Sequence, residues 1–309
     1  MIDKKVLLCT HCDLDGASCA IVTKNTFKDV TNVHVSAGDG LTKYIRHLQE
    51  TPFLVNNYDM VTVQDLSLDT ALFADLMGVF QVAHFEGEFL MLDHHESSNP
   101  IADEENGVII DMSMCGAALA QKYMQETYKV DLSHLDELIK LTNDYDLWVH
   151  KYKESKQLNI LLENYMGRST PEKGVKAFVD IYHKGFCYDK ITSLEKKIIL
   201  NRFEEIQKTF DELEVMELGD DTKIGFAFIE GSMLNDIAAK VFKHSDYQVI
   251  ITFYPNRTGG SIRVADGSPL NLGKLLPLLE KKLGIKGGGH PHAAAYNIPS
   301  ISYKMTLAS

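Results

Sequence analysis

Short apolar runs alternate with amphipathic segments through the N-terminal third of the chain, and this alternation limits the fold more than any other feature. Residues 6–8 precede a helical pattern over 17–27, residues 33–35 one over 41–50, and residues 60–63 one over 71–77. Two more buried-strand patterns fall at 89–92 and 108–110. Apolar runs this short, separated by helical patterns, read as parallel strands joined by crossover helices, which predicts an α/β fold with a mostly parallel sheet. From 116 to 182 the spacing is helical, over 116–128, 132–145, 157–165 and 171–182. Residues 191–218 interleave charged and apolar side chains with no proline or glycine, predicting one long helix. Strand patterns return at 224–229, 247–253 and 261–264, with helices expected at 235–242 and 272–283. A chain of 309 residues exceeds the size at which single cores usually divide. The expected organisation is an N-terminal domain over 1–190, a helical linker over 191–221 and a smaller α/β domain over 222–309.

Charge is distributed unevenly. The chain carries a net -12, yet residues 222–309 hold ten Lys or Arg against five Asp or Glu, so the rest of the chain is the strongly acidic part. An acidic chain argues against a long groove for duplex DNA, which depends on many cationic contacts to phosphate. The acidic portion suits metal cations and the basic portion suits phosphate. No apolar run approaches bilayer-spanning length and no secretory pattern opens the chain, so no membrane partner is expected. The five cysteines, three of them at 9, 12 and 19, make a poor disulfide framework; a reducing cytoplasm is the expected location.

Three apolar runs end in acids or histidines. Residues 6–8 lead to His11-Cys12-Asp13-Leu14-Asp15-Gly16, residues 60–63 to Asp65, and residues 89–92 to Asp93-His94-His95. In an open α/β sheet, ligands collect at the carboxyl ends of the strands, so these groups are expected to converge. Clustered carboxylates repel unless cations neutralise them, and oxygen and imidazole donors favour Mn²⁺ or Mg²⁺ over structural Zn²⁺. Two ions about 3.5–4 Å apart would activate water and stabilise attacking and leaving oxygens at phosphorus, with Asp65 as the bridging carboxylate.

Each of these residues also has a plainer reading. A single Asp after a strand is most often a turn former or helix N-cap, which alone would account for Asp13 and Asp15. Two adjacent histidines after a buried strand are costlier to explain that way. Cys9-Thr10-His11-Cys12 offers a rival zinc site, but no second cysteine pair completes it, and a buried strand cysteine commonly just packs. Trp148 could stack a base, although a lone tryptophan beside a helix more often packs. The Gly287-Gly288-Gly289-His290 run, with Arg263, suits close approach to an anion; its plainer reading is a glycine-rich turn before a final strand. Arg257 and His292 read as surface residues.

Taken together, His11-Cys12-Asp13-Leu14-Asp15-Gly16, Asp65, Asp93-His94-His95 and Asn143-Asp144-Tyr145-Asp146 resemble the four successive motifs of the DHH phosphoesterase superfamily. Ser261-Ile262-Arg263 and the Gly287–His290 run resemble its DHH-associated C-terminal domain. The resemblance spans nearly the whole chain and is nearest the branch of nanoRNases, 3'-phosphoadenosine 5'-phosphate phosphatases and RecJ-like exonucleases. It implies Asp13, Asp15, Asp65, His94 and Asp144 as metal ligands, and catalytic roles for Asp65 as the bridge and for His95 beside the scissile phosphate. His11 joins the ligand set with less support, since several relatives place a histidine at the position of Cys9. Asp146 competes with Asp144 for the fourth motif. Arg263, Gly288, Gly289 and His290 would hold substrate. The implied activity is metal-dependent hydrolysis of short single-stranded RNA or DNA oligonucleotides to monophosphates with two Mn²⁺ or Mg²⁺ ions, extending to 3'-phosphoadenosine 5'-phosphate. Cyclic dinucleotides, pyrophosphate or polyphosphate, and a non-catalytic nucleotide-binding role are the alternatives; a homodimer stays open.

Overall fold

A computed structural model describes residues 1–36, 40–168, 170–217, 223–229, 233–253, 259–283, 286–290 and 292–297, with backbone alone at 216–217, 283, 286–290 and 297. The chain divides into two compact units, Met1–Ile199 and Leu200–Ser309. Among the described residues no helix is long and apolar enough to cross a membrane.

The first unit is built on five parallel strands, β1 (Ile2–His11), β2 (Phe27–Val35), β3 (Met60–Gln64), β4 (Glu88–Asp93) and β5 (Val108–Ile110), in the order β2-β1-β3-β4-β5. Seven helices belong wholly to it: α1 (Leu14–Thr26), α2 (Gly40–Glu50), α3 (Thr70–Ala83), α4 (Gly116–Tyr128), α5 (Asp136–Asp146), α6 (Lys153–Met166) and α7 (Pro171–Tyr182). Alternation along the strands assigns the two sheet faces. Leu7, Cys9, Val61, Val63 and Met91 pack with Leu41, Ile45 and Leu48 of α2 and Leu76, Val79 and Ala83 of α3. The opposite face meets α1, where Thr23 Oγ1 donates to Gln64 Oε1 at 3.2 Å and Thr10 Oγ1 donates to the Gly16 carbonyl at 3.4 Å. Helix α1 is buried on nearly every side because α4, α5 and α7 cover it. Its small residues, Gly16, Ala17, Ser18 and Ala20, permit that crowding.

The strand order reverses direction at β1 and β3, because α1 carries the chain outward to β2 and α2 carries it back across β1. Such a switch leaves a crevice at the carboxyl ends of those two strands, where α/β proteins bind ligands. His11 ends β1, Asp13 and Asp15 come just after it, and Asp65 follows β3.

Helix α8 (Ser193–Asp211) is shorter than the expected 191–218 helix. After Asp211 the apolar spacing changes from helical to alternating, so Leu213 and Val215 pack with Ile206, Ala227 and Ile237, and β6 (Met216–Glu217) pairs antiparallel with β7 (Ile224–Ala227). The second unit continues through α9 (Leu234–His244), β8 (Val249–Phe253), β9 (Gly259–Val264), α10 (Leu272–Leu283), β10 (Lys286–His290) and β11 (Ala293–Asn297). Its six strands lie in the order β10-β11-β9-β8-β7-β6, and only β7 and β8, joined through α9, run parallel. The glycine run is a strand, not a turn: Gly287, Gly288 and Gly289 of β10 pair with Tyr296, Ala295 and Ala294 of β11.

Leu8 is fully buried in β1, an interior strand of the first sheet. Leu8→Ala is expected to lower the unfolding free energy of this unit by about 2–5 kcal/mol, read as an earlier midpoint in urea.

Candidate metal centre

Asp13 caps α1, its Oδ1 accepting from the Gly16 amide at 2.9 Å, while its Oδ2 pairs with His11 Nδ1. A Cβ on Gly16 would stand 2.2 Å from the His11 carbonyl oxygen, so the chain can turn from β1 into α1 this tightly only with glycine there. Asp15, in the first turn of α1, is buried and accepts from the Gly116 and Ala117 amides at 2.6 and 2.8 Å. These are the first amides of α4, orphan donors at the positive end of a helix, and they offset a buried carboxylate's charge. The start of α4 is anchored in turn by Asn143 of α5, whose Oδ1 accepts from the Cys115 amide at 2.8 Å.

Asp65 lies directly beyond β3 with φ 55°, in the left-handed region, and its amide donates to the Leu92 carbonyl at 3.0 Å. The residue is 3% exposed, and its Oδ2 is buried without a hydrogen-bond partner. A Cβ on Gly116 would fall 2.8 Å from Asp65 Cβ and 3.1 Å from Asp15 Oδ2, so α4 can approach the two aspartates only through glycine.

Asp93 ends β4 and is fully buried, accepting from Ser98 Oγ at 2.6 Å and pairing with His95 Nδ1 at 2.7 Å. His94 points among three carboxylates: its Nε2 is 3.4 Å from Asp65 Oδ1, 3.5 Å from Asp146 Oδ2 and 3.6 Å from Asp15 Oδ2. Those separations exceed ordinary hydrogen-bond lengths. Asp146 Oδ2 is also buried without a hydrogen-bond partner. Potential ligand atoms of His11, Asp13 and Asp65 lie within 4.8 Å of one another, as do those of Asp15, His94 and Asp146, and those of Asp65, His94 and His95. Asp65 therefore belongs to two of the three donor groups.

Burial, reinforced by neighbouring carboxylates, holds Asp65 and Asp146 well above the ordinary carboxylate pKa. Burial also raises Asp15 against the opposing charge of His94. Asp13 shows the reverse: burial pushes it up, but the charge and hydrogen bond of His11 hold it well below. His94 is lowered by burial, which favours the neutral imidazole a metal ligand requires. For His95, burial lowers the imidazole, yet the hydrogen bond and charge of Asp93 outweigh it and raise the ring above its ordinary value.

Asp144 is not brought to the cluster. Its carboxylate accepts from the Lys151 and Tyr152 amides at 2.8 and 3.2 Å and from Ser155 Oγ at 2.6 Å. Burial raises Asp144, but these donors, Ser155 first, bring it below the usual value. Asp146 is the aspartate of the fourth motif that faces His94. Among the described residues no thiol joins a donor group, which leaves the thiolate zinc site without support. In the second unit, Arg263 Nε donates to Asn235 Oδ1 at 2.7 Å and Nη1 to the Ile262 carbonyl at 3.0 Å. Gly288 and Gly289 lie within β10, while the His290 side chain and Arg257 fall outside the described residues. The sequence reading missed Gly116 and the anchoring roles of Asn143 and Ser155. Gly116 carries no reactive group, and its only signal is a glycine opening a strongly helical run.

No family model matches the chain. Oligoribonuclease NrnB of Bacillus subtilis is 23% identical to it over 313 aligned residues, covering 97% of this chain and 75% of that protein. Among solved structures, the DHH domain of a protein described as a member of a family of ribosomal proteins superposes with a TM-score of 0.63 at 13% identity, covering 95% of this chain and 82% of that one. RecJ from Thermus thermophilus in complex with Mn²⁺ gives 0.61 at 12% identity, covering 96% and 50%. The fold is thus that of DHH-domain proteins.

The two aspartates of the fourth motif are expected to separate by experiment. Asp146→Asn removes a poorly compensated buried charge, so the metal-free protein should melt no earlier while Mn²⁺ loses most of its stabilising effect. Asp144→Asn disturbs an acceptor of three hydrogen bonds and should cost about 1–3 kcal/mol with or without metal. Thermal melts of both variants, with and without Mn²⁺, check this.

Proposed function

We propose that this chain is a phosphoesterase of the DHH superfamily that hydrolyses phosphodiester bonds of short oligonucleotides, releasing nucleoside monophosphates with the help of two divalent cations. The observation that carries the proposal is the pair of buried, unpartnered carboxylate oxygens, Asp65 Oδ2 and Asp146 Oδ2, grouped with His94 at the sheet's switch point. Buried carboxylates without partners are costly, and a cation relieves that cost. The donor set is oxygen and imidazole, which suits Mn²⁺ or Mg²⁺. One ion would be held by His11, Asp13 and Asp65, the other by Asp15, His94 and Asp146, with Asp65 near enough to both groups to serve as the bridge. When bound, such ions offset charge on the reacting phosphate and make a water more acidic.

The chain's own residues contribute orientation and protons. Asp93 fixes the His95 ring through Nδ1 and favours its protonated form, so His95 Nε2 can hold a proton towards a phosphoryl or leaving oxygen. The α4 amides hold Asp15 in place and offset part of the cost of its burial. Similarity to the B. subtilis oligoribonuclease over nearly the whole chain supports the choice of substrate. The excess of Lys and Arg over residues 222–309 supports phosphate binding there, with Arg263 and the β10 glycines as candidates.

The test is product analysis on 5'-labelled short oligoribonucleotides in Mn²⁺ and in Mg²⁺, alongside 3'-phosphoadenosine 5'-phosphate, cyclic dinucleotides and pyrophosphate. Stepwise monophosphate release, lost in EDTA, is expected. Asp65→Asn should reduce the rate at least about a hundredfold, the order seen when one preorganised electrostatic group is removed. Asparagine suits this control because, like aspartate, it tolerates the left-handed backbone at this position. Cleavage of pyrophosphate or cyclic dinucleotides alone would overturn the substrate assignment.

A further inference from the structure

Beyond α5 the chain makes a short turn with an unusual backbone. Trp148 and His150 have φ of 58° and 52°, a region that bulky side chains rarely adopt. Asp144 holds the turn by both its main chain and its side chain. Its carbonyl accepts from the Val149 and His150 amides at 3.0 and 3.3 Å, while its carboxylate accepts from Lys151, Tyr152 and Ser155. The Tyr145 carbonyl accepts from the Trp148 amide at 3.1 Å.

This backbone does not bury the tryptophan. Trp148 is 40% exposed and Val149 is 59% exposed. The indole is nonetheless held firmly, with its ring centroid 4.1 Å from that of His150 at 81° and 6.1 Å from that of Tyr145 at 62°. Tyr145 and His150 also meet edge to face at 5.9 Å. Packing alone would turn the largest apolar side chain inward. Here Trp148 takes the left-handed position that closes α5, its amide and that of Val149 donating to the Tyr145 and Asp144 carbonyls, and its side chain stays part-exposed two residues after Asp146.

We propose that Trp148, braced by Tyr145 and His150 on the turn organised by Asp144, is the platform on which a substrate nucleobase stacks. The inference rests on the phosphodiesterase reading above and deepens it, because it assigns recognition of a base, and not only of phosphate, to this part of the site. Stacking on an aromatic face tolerates any base, since every base has a π-face, so selection here would be for nucleotides as a class. Asp144 then acts as a positioning residue for Trp148.

Trp148 is the chain's only tryptophan, so its fluorescence reports on the platform directly. Saturable quenching by adenosine 5'-monophosphate is expected, with none from ribose 5-phosphate at equal concentration. Trp148→Ala should raise KM for a diribonucleotide about 5- to 150-fold, with kcat changed less, and Trp148→Tyr should recover most of the loss. Removing the base from the substrate and removing the indole from the protein should not add, because both delete one contact. Equal responses to the two monophosphates, or an unchanged KM in Trp148→Ala when the wild-type protein cleaves the dinucleotide, would overturn the platform and leave the hydrolytic reading intact. Quenching by adenosine 5'-monophosphate in a protein that cleaves no oligonucleotide would sustain the platform and overturn only the hydrolytic reading.

Discussion

Mutual repulsion among buried carboxylates is the constraint around which the first unit is organised. Asp15, Asp65 and Asp146 surround one imidazole nitrogen, and burial together with their neighbours' charge pushes all three towards the protonated form. The fold offsets only part of this. Asp15 receives two amides from the start of α4, and Asp13 is compensated by His11. Asp65 and Asp146 each retain an oxygen that meets no donor. A fold selected for stability alone would have satisfied or replaced them, since an unpaired buried charge is among the costliest things a protein can contain. The residual imbalance is what suits the cluster to the cations proposed for it.

Around it, a second set of groups fixes geometry and is fully satisfied. Asp93 holds His95, and Asp144 holds the turn after α5. Asn143 anchors the start of α4, which carries the amides that Asp15 needs. The fourth motif thus divides its labour along four residues. Asn143 positions a helix, Asp144 positions a turn, Tyr145 braces the indole, and Asp146 faces the donors. Ligand-bearing side chains commonly depend on such outer partners for their orientation.

Much of this was legible in the sequence, for reasons that also explain where legibility ended. A parallel strand buried on both faces must be apolar, and its carboxyl end must point to the crevice, so His11, Asp13, Asp15, Asp65 and His94 could be expected to meet from pattern alone. The choice between Asp144 and Asp146 could not be made that way. Positions two apart on a helix are separated by about 200° around its axis, so only one can face the site. The rotation of α5 decides which, and it is set by burial of Leu138, Leu141 and Thr142 against the rest of the unit. Gly116 escaped because its contribution is the absence of a side chain. The glycine run escaped because its assignment to a strand comes from pairing with β11, not from local preference. The early end of α8 follows from the same competition, with Leu213 and Val215 drawn into the apolar cluster of the second unit.

Backbone strain gives an independent sign that the cluster is functional. Among the described residues, five other than glycine have positive φ. His84, Lys129 and Trp148 close α3, α4 and α5, where a left-handed residue is common; at α5 the Trp148 and Val149 amides donate to the Tyr145 and Asp144 carbonyls. Asp65 and His150 end no helix; Asp65 lies at the donor cluster and His150 on the turn beyond α5. Each left-handed residue of this kind costs on the order of 1–3 kcal/mol and persists only where its surroundings overdetermine it. For Asp65 those surroundings are the β4 carbonyl of Leu92 and the close approach of Gly116; for His150 they include the Asp144 carbonyl that accepts from its amide. Strain and unpaired charge are separate penalties with separate causes. At Asp65, directly beyond β3, the two coincide, as they would in a site built to hold ions.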